Sequence, residues 1–298
     1  MHLGNARTFL LNWALARKLG WKIILRIEDL DGPRIKAGAA ESIVSTLQWL
    51  GMDWDGDVLV QSHDLEPYRQ AMSLLAVKAL VYPSDLSRTQ IEAAASAPQE
   101  GSGEVVFPTS LRPELVSRAF DAPAMSWRFA TPAGEVEFAD AVAGPQRMSP
   151  QASIGDFAVW TKRGTPAYQL SVVVDDHRQG VTNIVRGDDL LDSAARQILL
   201  YRALGLGPLP QYSHLPLVVG TDGKRLAKRH GDSRVEHYRA TGVAAERIIG
   251  LVAFWSGCCD RRRPMSGSEL AAVVDLARVP KAPVVFTAED EAWLTENS

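Results

Sequence analysis

Four residues near the start of the chain, HLGN, combine side chains that can hold a phosphate group. His2 can donate a hydrogen bond from its ring, and Gly4 lets a phosphate approach the backbone. The helical pattern that begins beside Asn5 adds unpaired backbone N–H groups at its first turn. The sequence therefore predicts that His2, Gly4 and Asn5 contact a nucleotide phosphate. The alternative is an ordinary N-cap turn with a surface histidine.

A second candidate is the basic segment of residues 220–232, with the sequence GTDGKRLAKRHGD. Residues 221–223 are Thr, Asp and Gly, which predicts a turn. Arg225 and Lys228 follow, and a loop of this charge can close over a triphosphate and neutralise charge that develops in the transition state. The alternative is a solvated run of charge.

Two groups of carboxylates could also carry chemistry. In RIEDLD, the residues Glu28, Asp29 and Asp31 could bind a metal or form an acid/base pair. Consecutive side chains of a strand point to opposite faces, so Glu28 and Asp29 are expected to have different partners, which disfavours that interpretation. Asp175 and Asp176 end the apolar run AYQLSVVVDD and are predicted to cap the turn after a strand rather than to ligate a metal.

The elements that position these residues alternate between helix and strand. Apolar residues recur at helical spacing after HLGN until Gly20, and residues 23–27 form an apolar run typical of a buried strand. Residues 39–50 and 67–80 are amphipathic and predict two further helices. Alternation at this pace favours an α/β fold with a parallel sheet.

Changes in sequence character divide the chain into four predicted domains. Residues 1–81 follow the α/β pattern, whereas residues 82–150 contain a Gly/Ser/Pro-rich break and short strands such as MSWRFA and GEVEFAD, which indicates an inserted α+β subdomain. The α/β pattern returns over residues 151–232, with DFAVW, AYQLSVVVDD and TNIVRG as strands. Residues 233–298 predict a small helical region.

Composition limits the class of protein. The chain has 298 residues and 46% hydrophobic content, enough for a real core, and its net charge of -3 means that any nucleic-acid contact must come from local basic patches. The two cysteines, Cys258 and Cys259, are adjacent and therefore poor disulfide partners, which favours a reducing, cytoplasmic setting. No apolar run reaches the roughly 18 residues that span a bilayer, so no membrane contact is expected.

HLGN and the basic segment together resemble the two signatures of class I aminoacyl-tRNA synthetases. HLGN stands where that family has HIGH, and RLAKR, residues 225–229, stands where it has KMSKS. The resemblance implies that Lys228 and Arg225, at the fourth and first positions, bind ATP, and that His2 and Lys228 stabilise its phosphates during the reaction. Ala227 replaces a serine of the signature, so a hydroxyl is lost.

Further segments narrow the resemblance to the glutamate branch of this family, which implies a Rossmann-like catalytic core. They occur in family order across residues 2–232 and read HLGNARTFLLNWALAR, RIEDLDGPR, QSHDLEPYRQAM, AYQLSVVVDD, GVTNIVRGDDLLDSAARQILLYRALG and YSHLPLVV. The resemblance implies that Glu28 faces the α-ammonium of glutamate, that Tyr168 supplies a hydroxyl and a flat wall, and that Arg186 pairs with a carboxylate. Taken singly, the three also fit a strand-end carboxylate, a core tyrosine and a surface salt bridge.

The residues after Asp232 are too few for the large anticodon-binding region of full glutamyl-tRNA synthetases. The chain thus resembles their short relatives, the glutamyl-queuosine tRNA(Asp) synthetases, which activate glutamate with ATP and Mg²⁺ and attach it to queuosine in the anticodon arm of tRNA(Asp). The resemblance implies these partners and a monomer. Two alternatives stay open: a truncated glutamyl-tRNA synthetase that charges a tRNA 3′ end, and an impaired paralogue that binds tRNA or nucleotide without catalysis.

The short relatives often hold a zinc ion in the insertion, through Cys-x-Cys after a Tyr-Pro pair and through a later Tyr and Cys. Here Ser84 and Leu86 stand at the first pair, and Phe107 and Leu111 stand near the second. Leucine and phenylalanine cannot coordinate zinc, so no metal site is predicted. The insertion must then be held by its own packing.

The family resemblance also concerns what precedes His2. In the family, a strand ending in an Arg-x-x-Pro-Ser-Pro-Thr-Gly-like run leads into the HIGH turn, and its Arg and Ser help to hold glutamate. That run is not in the sequence. The resemblance therefore predicts either a start about 15 to 20 residues upstream or a shortened and impaired protein.

Overall fold

The computed structural model describes residues 1–30, 32, 38–94, 106–121, 124–224, 226 and 233–296. Its helices are α1 (Leu3–Leu19), α2 (Ala39–Trp49), α3 (Glu66–Val77), α4 (Arg88–Ala94), α5 (Pro150–Ser153), α6 (Tyr168–Arg178), α7 (Leu191–Leu204), α8 (Val235–Ala240), α9 (Ala245–Trp255), α10 (Gly267–Val273) and α11 (Ala288–Thr295). Its strands are β1 (Arg26–Ile27), β2 (Leu59–Val60), β3 (Val81–Pro83), β4 (Trp127–Phe129), β5 (Val136–Asp140), β6 (Gly144–Met148), β7 (Phe157–Trp160), β8 (Asn183–Gly187), β9 (Gln211–Leu215), β10 (Val218–Val219) and β11 (Val284–Val285). Within these residues, none of the helices has the length and apolar character needed to cross a membrane.

The predicted helix after HLGN is confirmed as α1. It ends at Gly20, whose φ of 68° lies in the left-handed region that glycine adopts without strain. Its buried side packs against β8, β10, α9 and α10. Arg7, on this buried side, donates from Nε to Ser256 Oγ at 3.1 Å and from Nη1 to the Pro216 carbonyl oxygen at 2.6 Å. The first helix is therefore fixed by the last third of the chain.

Parallel strand pairs form the part of the fold that carries the site. β1 pairs with β2, β8 pairs with β9, and β10 pairs with β11, all in parallel. The second of these pairs belongs to a four-stranded sheet with the order β6-β5-β9-β8. The predicted parallel α/β arrangement is thus confirmed for these strands. The expected strand over residues 23–27 is shorter than predicted, because only Arg26 and Ile27 form regular ladder pairs.

An antiparallel sheet crosses both ends of the predicted insertion. β4 pairs with β3 on one side and with β7 on the other. Trp127 and Phe129 of β4 are buried in one apolar cluster with residues of α3, α6 and α7. β5 also reaches outside the insertion, since Asp140 pairs with Tyr212 of β9. The insertion therefore shares its packing with the surrounding α/β elements, and the exact domain boundaries stay a prediction.

The prediction of a strand over AYQLSVVVDD is wrong, because these residues form helix α6. Every residue from Gln169 to Asp176 is buried, so the helix is packed on nearly all sides. An apolar run that is buried all round shows no amphipathic period, and periodicity then cannot separate a strand from a helix. The C-terminal region is mainly helical as predicted, but β11 within it is an additional strand.

Candidate active site

HLGN, which forms the N-cap and first turn of α1, lies between the residues that precede and follow the basic segment. His2 Nδ1 lies 3.1 Å from Ser233 Oγ, and the backbone N–H of Leu3 donates to the Ser233 carbonyl oxygen. On the other side, a Cβ added to Gly4 would meet Val218 of β10 at 3.5 Å. Ser233 follows the basic segment and Val218 precedes it. The residues on both sides of the basic segment are therefore neighbours of HLGN, although they are more than 200 positions away in sequence.

The predicted turn at the start of the basic segment is confirmed. The N–H of Gly220 donates to the Lys224 carbonyl oxygen at 2.8 Å, and Gly223 has a φ of 71°. Arg225 and Lys228 lie outside the described residues, and their contact with ATP stays a prediction. Asn5 is exposed at the first turn of α1.

At the carboxyl end of β1, Glu28 is held by a neighbouring arginine. Arg26 donates to Glu28 Oε1 at about 3.1 Å and to Asp176 Oδ1 at 2.8 Å. Asp29 turns the other way and accepts from the backbone N–H of Ser62 at 2.8 Å. Glu28 and Asp29 thus have different partners, as the strand pattern predicts. Asp31, the third carboxylate of RIEDLD, lies outside the described residues.

The prediction that Asp175 and Asp176 cap a turn after a strand is wrong. Both lie inside α6, and their side chains join other elements to it. Asp175 Oδ2 accepts from Gln61 Nε2 and from the Tyr68 hydroxyl, each at 2.8 Å. Asp176 is buried beside the guanidinium of Arg26. Burial raises the pKa of its carboxyl, and the positive charge of Arg26 offsets only part of this increase. The pair therefore fastens α6 to β1 and α3.

Tyr168 begins α6 and lies among the charged groups of the predicted glutamate pocket. Desolvation by the surrounding protein raises the pKa of its hydroxyl. The charge of Arg186 lowers that pKa, whereas the charges of Glu28 and Asp176 raise it. Hydrogen bonds link both charged groups to α6, because Arg26 joins Glu28 to Asp176 and Gln197 joins Arg186 to Gln169. The structure thus connects Glu28 and Arg186, which are far apart in sequence, to the helix that Tyr168 begins.

Arg186 occupies the carboxyl end of β8, where parallel sheets bind ligands. It donates from Nε to His214 Nε2 and from Nη1 to Gln197 Oε1, both at 2.9 Å. Nη2 donates to the Leu190 carbonyl oxygen at 3.3 Å. Its partners are neutral groups, so the positive charge remains available to a carboxylate.

The phosphate end and the amino-acid end of the site are joined through the residue after Arg186. A Cβ added to Gly187 would lie 3.1 Å from Leu217. Leu217 precedes Val218, which packs on Gly4 of the HLGN turn. A run of packing contacts, which includes buried Val218, therefore connects Arg186 to the N-terminus of α1. The predicted amino-acid and phosphate sites share this structural support.

The region where the short relatives hold zinc contains an apolar cluster in this chain. Buried Tyr82, Ile91, Phe107 and Ala130 form it, and Leu86 and Leu111 pack against them. Gly155 is required beside it, because its φ is 71° and a Cβ would lie 2.2 Å from the Phe107 carbonyl oxygen. In the described part of the chain, no group of three or more His, Cys, Asp or Glu side chains is arranged to hold a metal ion. These residues do not fit a zinc site.

Asp140 is a buried carboxylate that sequence reasoning did not single out. Burial raises the pKa of its carboxyl, but hydrogen bonds from His214 and from the backbone N–H groups of Ala143, His214 and Val142 outweigh burial and lower that pKa to about 2. A depressed folded-state pKa stabilises the protein above the ordinary pKa of aspartate, and this stabilisation is lost as the pH falls towards 2.

We expect Asp140 to contribute roughly 2 kcal/mol to the free energy of unfolding at pH 5 through this shift. The contribution should disappear between about pH 4 and pH 2. Urea unfolding of wild type and Asp140→Asn over this pH range measures it, with the exposed Asp57→Asn as the matched control. A difference between wild type and Asp140→Asn that stays constant with pH would contradict the assignment.

Several residues that hold the predicted site residues were not singled out in the sequence, although Arg26, Gln197 and His214 lie within the segments of the family resemblance. His214 and Gln197 contact Arg186, Asp140 contacts His214, and Arg26 holds Glu28. A histidine within an apolar strand, such as His214, is usually a core residue with satisfied hydrogen bonds. Only the parallel register of β8 and β9, which pairs Arg186 with His214, brings these two side chains together.

Comparison with known proteins gives a consistent family. Residues 1–293 match the family described as tRNA synthetases class I (E and Q), catalytic domain. A protein of Symbiobacterium thermophilum named glutamyl-Q tRNA(Asp) synthetase is 46% identical over 99% of this chain and 95% of its own length. One of Rhodopirellula baltica with the same name is 44% identical over 87% of this chain and 82% of its own length.

A solved structure agrees with this result. The crystal structure of the glutamate-tRNA synthetase from Elizabethkingia anophelis superposes with a TM-score of 0.80 at 26% identity, over 99% of this chain and 67% of that protein. The fold is therefore a mixed α/β class I synthetase catalytic domain, a class that uses ATP. The match over nearly the whole chain and the shared fold show that this protein belongs to the class I tRNA synthetases (E and Q).

Proposed function

We propose that this protein is a ligase that activates glutamate with ATP and transfers it to the queuosine base of tRNA(Asp). The observation that carries the proposal is the pair of hydrogen-bonded links, through Arg26 and through Gln197, that connect Glu28 and Arg186 to the helix that Tyr168 begins. One anion and one cation in a pocket match an amino acid that carries both an ammonium and a side-chain carboxylate.

Within the pocket each side chain has a separate role. Glu28 binds the α-ammonium, and Arg26 keeps this carboxylate turned towards the site. Arg186 binds the side-chain carboxylate through the planar fork of its guanidinium. Tyr168 borders both charges and forms one side of the pocket. A neutral side chain such as that of glutamine would leave the charge of Arg186 uncompensated, which favours glutamate.

Activation is a displacement at phosphorus. An oxygen of the glutamate α-carboxylate attacks the α-phosphorus of ATP, the bond to the bridging oxygen breaks, and pyrophosphate leaves. His2, Gly4 and Asn5 at the start of α1 bind the phosphates, and Arg225 and Lys228 neutralise the charge that develops on them. ATP arrives as its Mg²⁺ complex, which shares this neutralisation. No covalent bond to the protein is formed, so positioning supplies most of the catalysis.

Transfer follows at the carbonyl carbon of the glutamyl-adenylate. A hydroxyl oxygen of the queuosine cyclopentene ring attacks this carbon, loses its proton, and AMP leaves. The acceptor is supported by the Symbiobacterium protein, whose name specifies tRNA(Asp) and whose length this chain nearly matches. The protein acts as a monomer in the cytoplasm, and its insertion needs no zinc, because apolar side chains occupy that region.

Two assays test the proposal. Purified protein should catalyse ATP–pyrophosphate exchange that depends on glutamate and not on glutamine. Labelled glutamate should then enter tRNA(Asp) that carries queuosine and not the same tRNA without it. Transfer to the 3′ end of tRNA(Glu) would instead support a glutamyl-tRNA synthetase, the class of the superposed Elizabethkingia structure. Failure of exchange would support the impaired paralogue.

A further inference from the structure

Arg186, the predicted glutamate ligand, begins a chain of three hydrogen-bonded side chains whose other two members are buried. Arg186 Nε donates to His214 Nε2 at 2.9 Å, and His214 Nδ1 lies 2.6 Å from Asp140 Oδ2. His214 is 1% exposed and Asp140 is 4% exposed. Gln197 supports the same guanidinium from the side at 2.9 Å. These residues come from three strands and one helix, so the arrangement exists only in the folded protein.

The hydrogen bonds fix which nitrogen of His214 carries the proton. The guanidinium N–H can only donate, so His214 Nε2 must accept and carries no hydrogen. The hydrogen is therefore on Nδ1, where it is donated to the Asp140 carboxylate. Asp140 thus selects the one tautomer of His214 that can accept a hydrogen bond from Arg186.

Each member of the chain is itself held in place. Asp140 Oδ1 also accepts from the backbone N–H groups of Val142 and Ala143, at 2.9 and 2.7 Å. The ring of His214 stacks on Tyr212, with planes 16° apart. The Arg186 guanidinium lies 5.5 Å from the centre of the Tyr212 ring. The position of Arg186 is therefore determined by His214 and the Tyr212 ring as well as by Gln197.

The donor count of Arg186 shows what this support achieves. A guanidinium has five N–H groups, and the bonds to His214, Gln197 and Leu190 use three of them, one on each nitrogen. One N–H remains on each terminal nitrogen. These N–H groups on Nη1 and Nη2 are available to a carboxylate, which can accept two hydrogen bonds from one guanidinium.

We propose that His214 and Asp140 are positioning residues that present this pair of Arg186 donors to the side-chain carboxylate of the amino-acid substrate. The inference rests on the proposed function, because it assigns the substrate carboxylate to Arg186. It adds that the predicted insertion, residues 82–150, takes part in amino-acid recognition, since Asp140 lies on its strand β5.

Three substitutions separate positioning from general stability. In His214→Gln, the side-chain oxygen can take the place of Nε2 and still accept from Arg186. In His214→Asn, the shorter amide can take the place of Nδ1 and keep the bond to Asp140, but it does not reach Arg186. Asp140→Asn keeps size and offers an N–H to the ring, which reverses the tautomer and turns an N–H towards Arg186.

The measurement is glutamate-dependent ATP–pyrophosphate exchange by the purified full chain, with melting temperatures recorded for each variant. We expect His214→Asn and Asp140→Asn to raise the KM for glutamate at least about tenfold, with the KM for ATP within about twofold of wild type. His214→Gln should stay within about threefold of wild type for both substrates. If His214→Asn does not fold, Asp140→Asn carries the same comparison with His214→Gln.

Two results would overturn the inference. If wild type exchanges with glutamate but the Gln and Asn variants show equal KM values for it, the contact with Arg186 has no positioning role and the proposed function survives. The same holds if both KM values change together in proportion to the melting temperature. If wild type shows no glutamate-dependent exchange, the proposed function fails and the inference fails with it.

Discussion

The Arg186→Met variant is expected to lose at least about thirtyfold in kcat/KM for glutamate, because truncating one member of a desolvated charge pair costs about 2–5 kcal/mol. Methionine keeps much of the length of arginine but none of its donors. The glutamate carboxylate would then lie in the pocket without a cation, and His214 and Gln197 would lose their donor. The KM for ATP should change little, because the proposed phosphate site is at the N-terminus of α1 and not at Arg186.

Pyrophosphate exchange with varied glutamate and with varied ATP measures both constants for Arg186→Met. Arg202→Met is the matched control, since Arg202 is exposed on α7 and the same charge is removed away from the pocket. Circular dichroism and melting temperature show whether each variant is folded. A folded Arg186→Met protein that keeps the wild-type KM for glutamate would remove Arg186 from the site.

The Asp156→Ala variant is expected to lose about 3–5 kcal/mol of the free energy of unfolding, because it leaves the buried Tyr82 hydroxyl and Thr131 N–H without an acceptor and the half-buried Arg112 without its counter-ion. Asp156 is fully buried and accepts from Arg112 Nε at 2.7 Å, from the Tyr82 hydroxyl at 2.6 Å and from the Thr131 N–H at 2.9 Å. These donors come from the start and the middle of the predicted insertion, and Asp156 lies just after its end. One carboxylate and an apolar cluster therefore hold the insertion together.

Urea unfolding of wild type and Asp156→Ala measures the loss, and limited proteolysis should show earlier cleavage within residues 82–150. Asp121→Ala is the matched control, because Asp121 is an exposed aspartate of the same insertion. A zinc chelator should leave the wild-type transition unchanged. A loss below about 1 kcal/mol in Asp156→Ala would contradict this account, since that is the range of exposed ion pairs.

Much of the candidate site could be predicted because its residues occur within motifs. HLGN, RIEDLD and the first residues of the basic segment each combine unusual residue types at fixed spacing, and HLGN contacts the residues on both sides of the basic segment. The roles of Asp140, His214 and Gln197 could not be found in this way, although the last two lie within segments of the family resemblance. Each stands singly in its own element, and its role depends on the register between strands that are distant in sequence.

The fold shows the same division between local and distant information. α1 was predictable because an apolar stripe and a terminal glycine lie within one segment. α6 was not, because its sequence contains three consecutive valines and lacks an amphipathic period. What makes it a helix is tertiary packing, in which Asp175 and Asp176 bind Gln61, Tyr68 and Arg26.

The packing of α1 also determines the order in which the protein can fold. Arg7 binds Ser256, which is 249 positions further along the chain, and the remaining partners of this helix include α10. Closing so long a loop costs entropy before any contact is gained, which slows folding. During synthesis α1 leaves the ribosome long before α9 and α10 exist. Until they are made, the apolar face of α1 stays exposed, and an exposed apolar face binds chaperones. We therefore expect the soluble yield to be sensitive to substitutions near the C-terminus.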